Sequence, residues 1–319
     1  MNLIYMSKPI YGWWVTFTSH LCLKYNCDLY KIGKRTEQNK RNYGYGIQYR
    51  NLRIDNILEL PNLVITALDN HYLRYLYLFP KDTILIIHDP TELKGKGNPL
   101  PDLLHKFKII TIRKTVQKLL KDKYNIESEF KYHPFYEYPK IKNNHDYYSL
   151  SISRIDFDKN TDIILKANQL INDNKKQIYI FGAENRLYVH HKLQNLDFEI
   201  FWKGKFPKTL PIQYENKDLL NNCKFIIDMS IIKGDGGGTQ YTFLEAIYHK
   251  CALILHHEWV SKGDTFIKDK NCYVVGNHET MKPEEEIAEI LNQEIDSKYK
   301  KIVKNSQKLL DNHTNLQWF

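Results

Sequence analysis

Cysteine is scarce in this chain. The five residues, Cys22, Cys27, Cys223, Cys251 and Cys272, include no CxxC pair and no spacing that reads as a disulfide framework. Reduced thiols in a cytoplasmic protein are the direct reading. No run approaches the roughly 18 apolar residues of a membrane span. The opening MNLIYMSKPI lacks the basic head and long apolar stretch of a signal peptide, and it reads as a first strand. There is no internal repeat, no low-complexity tract and no GxxxxGKS/T, so a P-loop is disfavoured. Acidic residues are short in one half only. Residues 1–140 hold 22 Lys and Arg against 13 Asp and Glu, whereas the remainder holds 24 of each, so the net charge of +9 lies entirely in the first half. That asymmetry suits an anionic partner for the first half. The competing explanation is the Lys-, Asn- and Ile-rich composition of an AT-rich genome.

What is present is globular. The chain is 42% hydrophobic and 26% charged, and 319 residues are comfortable for two domains. Short apolar runs alternate with helical patterns. LIYM (3–6), LVITAL (63–68), TILIIH (83–88) and KIITI (108–112) read as strands, with helical periodicity at 15–25 and 116–124. FYEYPKIKNNHDYY (135–148) bears Pro and Asn and is polar in its middle, as a linker would be. After it, YYSLSIS (147–153), QIYIFG (177–182), EIFWKG (199–204), KFIIDMS (224–230), CALILHH (251–257) and CYVVG (272–276) read as strands, with helices at 162–171, near 186–195 and after residue 238. Such alternation predicts an α/β protein of two doubly wound, Rossmann-like domains with parallel sheets. The expected division is 1–143, 144–300 and a C-terminal helix, 301–319, that crosses back onto the first domain.

The stretch IIKGDGGGTQYTFLEAI (231–247) places three glycines between a strand and an amphipathic helix. Beyond the end of a parallel strand, Gly236, Gly237 and Gly238 would let the backbone approach a ligand, and Thr239 would cap the next helix. The helix N-terminus offers free N–H groups to an anion. Tyr241, Leu244 and Tyr248 would form its buried stripe, with Glu245 beside it, where a carboxylate could accept both hydroxyls of a ribose. The alternative is a flexible turn followed by a solvated glutamate. In SISRIDFDKN, Arg154 sits at a strand end with Lys159 five residues on, a pair suited to neutralising a diphosphate. Between them lies DFD, Asp156 to Asp158, which would instead hold a divalent ion in a metal-dependent GT-A transferase.

In this order the motifs resemble the GT-B glycosyltransferases of the large retaining, glycogen-synthase-like class that use nucleotide sugars, and the resemblance spans most of the chain. It implies an early glycine loop after the first strand, here SKPIYGWW with Gly12. It implies a donor-sugar contact at His88 in ILIIHDP, diphosphate binding by Arg154 and Lys159, and a ribose-binding Glu245 in GDGGGTQYTFLEA. One departure stands out. The family often carries a second glutamate eight residues before the ribose-binding one, and that position is Gly237, with Asp235 the nearest acid. The co-substrate implied is a nucleoside diphosphate sugar, UDP-linked or otherwise, with no tightly bound cofactor, no divalent metal and, by resemblance alone, retention of configuration.

Asp89 would orient or deprotonate the acceptor hydroxyl. His–Asp pairs also serve metal phosphohydrolases, but those need further ligands on helices. The stretch YKIGKRTEQNKRNYGYGIQYR (30–50) reads as a loop, and with Lys34, Arg35 and Arg41 it interleaves cations with aromatic residues as a nucleic-acid surface does. Trp13 and Trp14 would stack near the acceptor, or simply pack together. His–Asp after a strand resembles phage DNA glucosyltransferases that modify hydroxymethylated bases, which implies a viral setting with DNA as acceptor. An anionic glycan, a lipid head group and a small metabolite stay open as acceptors, and a non-catalytic binding protein of the same fold stays open as a class.

Overall fold

The structure is a computed structural model, and it describes residues 1–7, 13–33, 41–43, 47–93, 100–140, 146–204, 219–232, 238–315 and 317–319. Two sheets organise them. The first contains β1 (Asn2–Met6), β2 (Asp28–Ile32), β3 (Arg41–Tyr43), β4 (Ile47–Leu52), β5 (Leu63–Leu68), β6 (Ile84–Ile87), β7 (Lys108–Thr111) and β8 (Glu129–Phe130) in the order β3-β4-β2-β1-β5-β6-β7-β8. All neighbours are parallel except β3 and β4. The second contains β9 (Ser149–Ile152), β10 (Ile178–Phe181), β11 (Phe225–Asp228), β12 (Ala252–His256) and β13 (Tyr273–Val275), all parallel, in the order β10-β9-β11-β12-β13.

Both faces of these sheets are covered, which is why the central strands are continuous apolar runs rather than alternating ones. Every residue of β1 and of β5 is buried. The strand order reverses between β1 and β5 in the first sheet and between β9 and β11 in the second. These are the crevices in which doubly wound sheets hold ligands. In the first, the register of β1 on β5 shifts so that Thr66 is passed over between Ile65 and Ala67.

One apolar cluster joins the two sheets. Leu3 and Tyr5 of β1 and Phe17 of helix Trp13–Tyr25 share it with Leu150 of β9 and with Phe243 and Leu244 of helix Tyr241–Tyr248. Helix Ser297–Thr314 lies on helix Tyr241–Tyr248 and on β12, and its last turn reaches the first domain. There Phe135 N donates to the His313 carbonyl at 3.1 Å, and Trp318 N donates to Tyr25 Oη at 3.1 Å. Among the described residues, no helix is long and apolar enough to cross a membrane, and all five cysteines are free thiols.

Three segments depart from the sequence expectation. EIFWKG is not a strand: Phe198–Phe201 is a short helix, and Trp202 alone bridges to Ile180. Phe198, Phe201 and Trp202 are spaced i, i+3, i+4, so a helical turn turns all three rings the same way. Phe198 and Phe201 are buried, and Trp202 stacks on Phe198 at 5.5 Å. The basic segment 30–50 is not a plain loop either, because β3 and β4 pair antiparallel within it at the edge of the first sheet. The helix expected near 186–195 is a single turn, Arg186–Tyr188, that widens into a π turn at Val189–Leu193.

Candidate active site

Strand β6 ends in the first crevice with His88 and Asp89 immediately after it. His88 is 0% exposed. Its Nε2 lies 2.6 Å from the carbonyl of Thr66, the residue that the β1–β5 register passes over. Phe17 meets the ring edge-on at 4.7 Å, and the Trp14 ring is 6.3 Å away. Burial pulls the imidazole pKa down to about 3; the Thr66 carbonyl opposes that shift, and the charge of Arg113 adds to it. The ring is therefore neutral at physiological pH and donates to Thr66.

Asp89 is also buried, and its Oδ1 accepts from Thr91 N at 2.7 Å and from the Thr91 hydroxyl. Glu92 completes the turn. Its two oxygens sit 3.3 Å from His88 N, and it also accepts from the Asp89 backbone and the Trp14 side chain. Burial pushes the Glu92 carboxyl well above the usual range, and neighbouring Asp89 pushes the same way. One carboxyl group thus fixes Trp14, His88 and Asp89 together.

The second crevice is built by the residues after β9 and β11. Arg154 is exposed and pairs with Asp156 at 2.9 Å and Asp158 at 3.4 Å. The DFD carboxylates are thus turned onto a guanidinium, and among the described residues no group of three His, Cys, Asp or Glu side chains is placed to hold a metal ion. Lys159 reaches across the switch point to Ser230 Oγ at 3.0 Å. Asn160, in the left-handed region, and the Asp158 carbonyl bind Met229 O and Ile231 N at 2.9 and 3.1 Å. The loop after β9 is thereby stitched to the end of β11.

Gly238 has φ +94°, a conformation that favours glycine. The helix after it starts at Tyr241 with Gln240 as N-cap and no side-chain cap. Thr239 therefore does not cap the helix as expected: the helix begins one residue later, and the Thr239 hydroxyl sits 3.5 Å from the Gln240 carbonyl. Glu245 is 2% exposed. The helix shows no narrow stripe, because Phe243 through Ile247 are all buried while Tyr248 is partly open. It is wedged between the second sheet, helix Ser297–Thr314 and the first domain. Tyr241 stacks on His20 of the first domain at 4.5 Å and 13°, and donates to the Pro134 carbonyl at 3.0 Å.

The remaining expected residues are dispersed or undescribed. Gly12, Lys34, Arg35, Asp235, Gly236 and Gly237 lie outside the described residues, and of Trp13 and Arg41 only the backbone is described. Arg41 belongs to β3, the far edge of the first sheet. At a strand spacing of about 4.8 Å, that is roughly 24 Å from the strand carrying His88. Two residues without a motif join the site: Glu92, and Arg113 after β7. A polar residue directly following a parallel strand is the signal that singles out His88 and Arg154, and Arg113 follows KIITI in the same way.

In sequence, no protein-family model and no curated protein matches the chain. In structure, the chain is similar to HepE from Anabaena in complex with UDP and glucose, with a TM-score of 0.68 and 13% identity over 98% of this chain and 95% of that one. It is similar to an α-glucosyltransferase in complex with UDP and a 13-mer DNA containing a HMU base, with a TM-score of 0.67 and 12% identity over 98% and 95%. The fold is GT-B. A third GT-B structure, a variant of S. aureus TarM in complex with Fondaparinux, α-GlcNAc-glycerol and UDP, matches with a TM-score of 0.57 and 15% identity over 83% of this chain and 57% of that one. The two GT-B halves here are the sheets of β1–β8 and β9–β13.

Proposed function

We propose that the chain is a glycosyltransferase that moves a sugar from a UDP-linked donor to an acceptor hydroxyl. The observation that carries this reading is the second crevice: Arg154, Lys159 with Ser230, Gly238 and the buried Glu245 all lie beyond the C-terminal ends of β9 and β11 or on the helix that follows. Such a set suits a nucleoside diphosphate. Arg154, Lys159 and the amides of the glycine loop would stabilise the leaving diphosphate, and Glu245 would hold the ribose. The locked, neutral His88 would fix the β6 turn so that its backbone carbonyl faces the sugar. The bond between the anomeric carbon and the diphosphate oxygen breaks, its electron pair staying with that oxygen. The acceptor oxygen bonds the anomeric carbon, and Asp89 orients that hydroxyl and takes its proton. The cationic pair would carry the charge that a metal ion carries elsewhere, so transfer should not need a divalent ion.

The acceptor we favour is a hydroxymethylated base in DNA. The excess positive charge of residues 1–140 supports it, as does the similarity to a protein seen with DNA containing a HMU base. The test is release of UDP from a panel of UDP-sugars by the full chain, with and without EDTA, beside Arg154→Ala and Glu245→Ala. The expected result is EDTA-insensitive release from one donor, reduced at least about a hundredfold in each variant, and accelerated by hydroxymethylated duplex over unmodified duplex. Acceleration by a glycan or lipid instead would move the acceptor. Nucleotide binding without turnover would favour a binding protein.

A further inference from the structure

The end of β7 brings a second basic pair to the cleft. Lys114 Nζ lies 2.6 Å from Asp264 of the second domain, on the surface. Beside it, Arg113 Cγ lies 3.8 Å from the position that a Cβ on Gly238 would occupy, so this side chain packs against Gly238. Gly263, the neighbour of Asp264, backs the same loop: a Cβ there would stand 3.6 Å from Gly238 N. Residues 113 and 114 of the first domain therefore face 238, 263 and 264 of the second along one seam. Arg113 is only partly buried. Its charge is near enough to His88 and His133 to oppose protonation of both.

The geometry points to Arg113 as the first domain's donor-binding residue, its guanidinium binding the diphosphate held at the glycine loop. This rests on the donor reading above. Arg154 and Lys159 approach the diphosphate from the second domain, Arg113 approaches from the first, and the Lys114–Asp264 pair sits where the two sides meet. The phosphate site is then built from both sides of that seam, and neither side completes it alone.

The experiment is titration of the full chain with UDP by calorimetry, for wild type, Arg113→Met, Arg113→Lys and Arg154→Met. Loss of a charge-assisted contact should weaken UDP binding in Arg113→Met by about tenfold. Arg113→Lys keeps the charge without the planar fork, should recover part of the affinity, and serves if the Met variant does not fold. Wild-type UDP affinity in Arg113→Met, alongside a loss in Arg154→Met, would overturn the assignment and leave the donor reading standing. Unchanged UDP affinity with weaker binding of a hydroxymethylated duplex would assign Arg113 to an acceptor phosphate instead. No UDP binding by the wild type would remove both.

Discussion

At the scale of single residues, the site is governed by carboxylates that hold something other than substrate. Asp158 shares Arg154 with Asp156. On the proposed reading, a diphosphate at that guanidinium would compete with both. Exposed pairs of this kind are worth about 0.2–1 kcal/mol, so Asp158→Asn should tighten UDP binding up to about fivefold, as read by calorimetry. Glu92 has the opposite character. Its truncation would strand the backbone N–H groups of His88 and Asp89 and loosen Trp14. Glu92→Ala should cost about 1–3 kcal/mol in urea unfolding, and it should lower kcat with little change in UDP affinity, because it holds the residues proposed to face the sugar and the acceptor and touches none of those proposed to bind the diphosphate. Neither role could be read from the sequence. Glu92 is one glutamate in TELK, and only the fold turns it back onto His88 and Asp89, four and three positions earlier. Arg113 has the strand-end position that should have singled it out, but its partner, Gly238, is 125 positions away.

At the scale of elements, the glycine loop shows how backbone and packing divide the work. At Gly238 the conformation, φ +94°, demands glycine while the surrounding space does not, since an added Cβ would meet nothing nearer than Arg113 at 3.8 Å. At Gly263 the reverse holds: a Cβ would stand 2.8 Å from the Trp259 carbonyl, a backbone atom that cannot give way cheaply. Gly238→Ala should therefore cost about 1–2 kcal/mol from strain alone. Gly263→Ala should cost more and also disturb the loop above it, and paired urea titrations rank the two. The strands were legible because parallel strands covered on both faces must be apolar throughout. Phe198–Trp202 was not, because aromatic residues suit both states and only their spacing against β10 decides. The sequence of helix Tyr241–Tyr248 shows one buried stripe although nearly the whole helix is buried, since a contact between domains leaves no periodic mark on one helix.

At the scale of the whole molecule, the seam between the domains is rich in uncharged histidine. His88 and His313 have pKa values pulled down to about 3 and about 4, chiefly by burial, and His133 lies well below its ordinary range. Above pH 6.5 these rings are neutral both folded and unfolded and leave stability unchanged. As pH falls below 6.5 the unfolded chain takes up protons that the folded one refuses. Stability is lost at up to about 1.4 kcal/mol per pH unit for each ring until the folded pKa is reached. Melting temperatures between pH 8 and pH 4.5 should be flat in the upper part and fall steeply in the lower, and His313→Gln should flatten the fall. Trp318 closes the same seam at 1% exposure. Trp318→Ala should cost about 3–5 kcal/mol, measured by urea unfolding of the full chain.

The two stretches of chain that cross between the domains are fastened to each other. Phe135 of the link and His313 of the last helical turn are hydrogen-bonded, His313 Nδ1 lies 2.8 Å from the His133 carbonyl, and Lys24 donates to Phe135, His313 and Thr314 carbonyls together. A body tethered at one point can tumble; a body tethered at two points pinned side by side can only swing. Any relative movement of the two domains would thereby be confined to rotation about a single axis through these residues, which would bring the two crevices back into the same register.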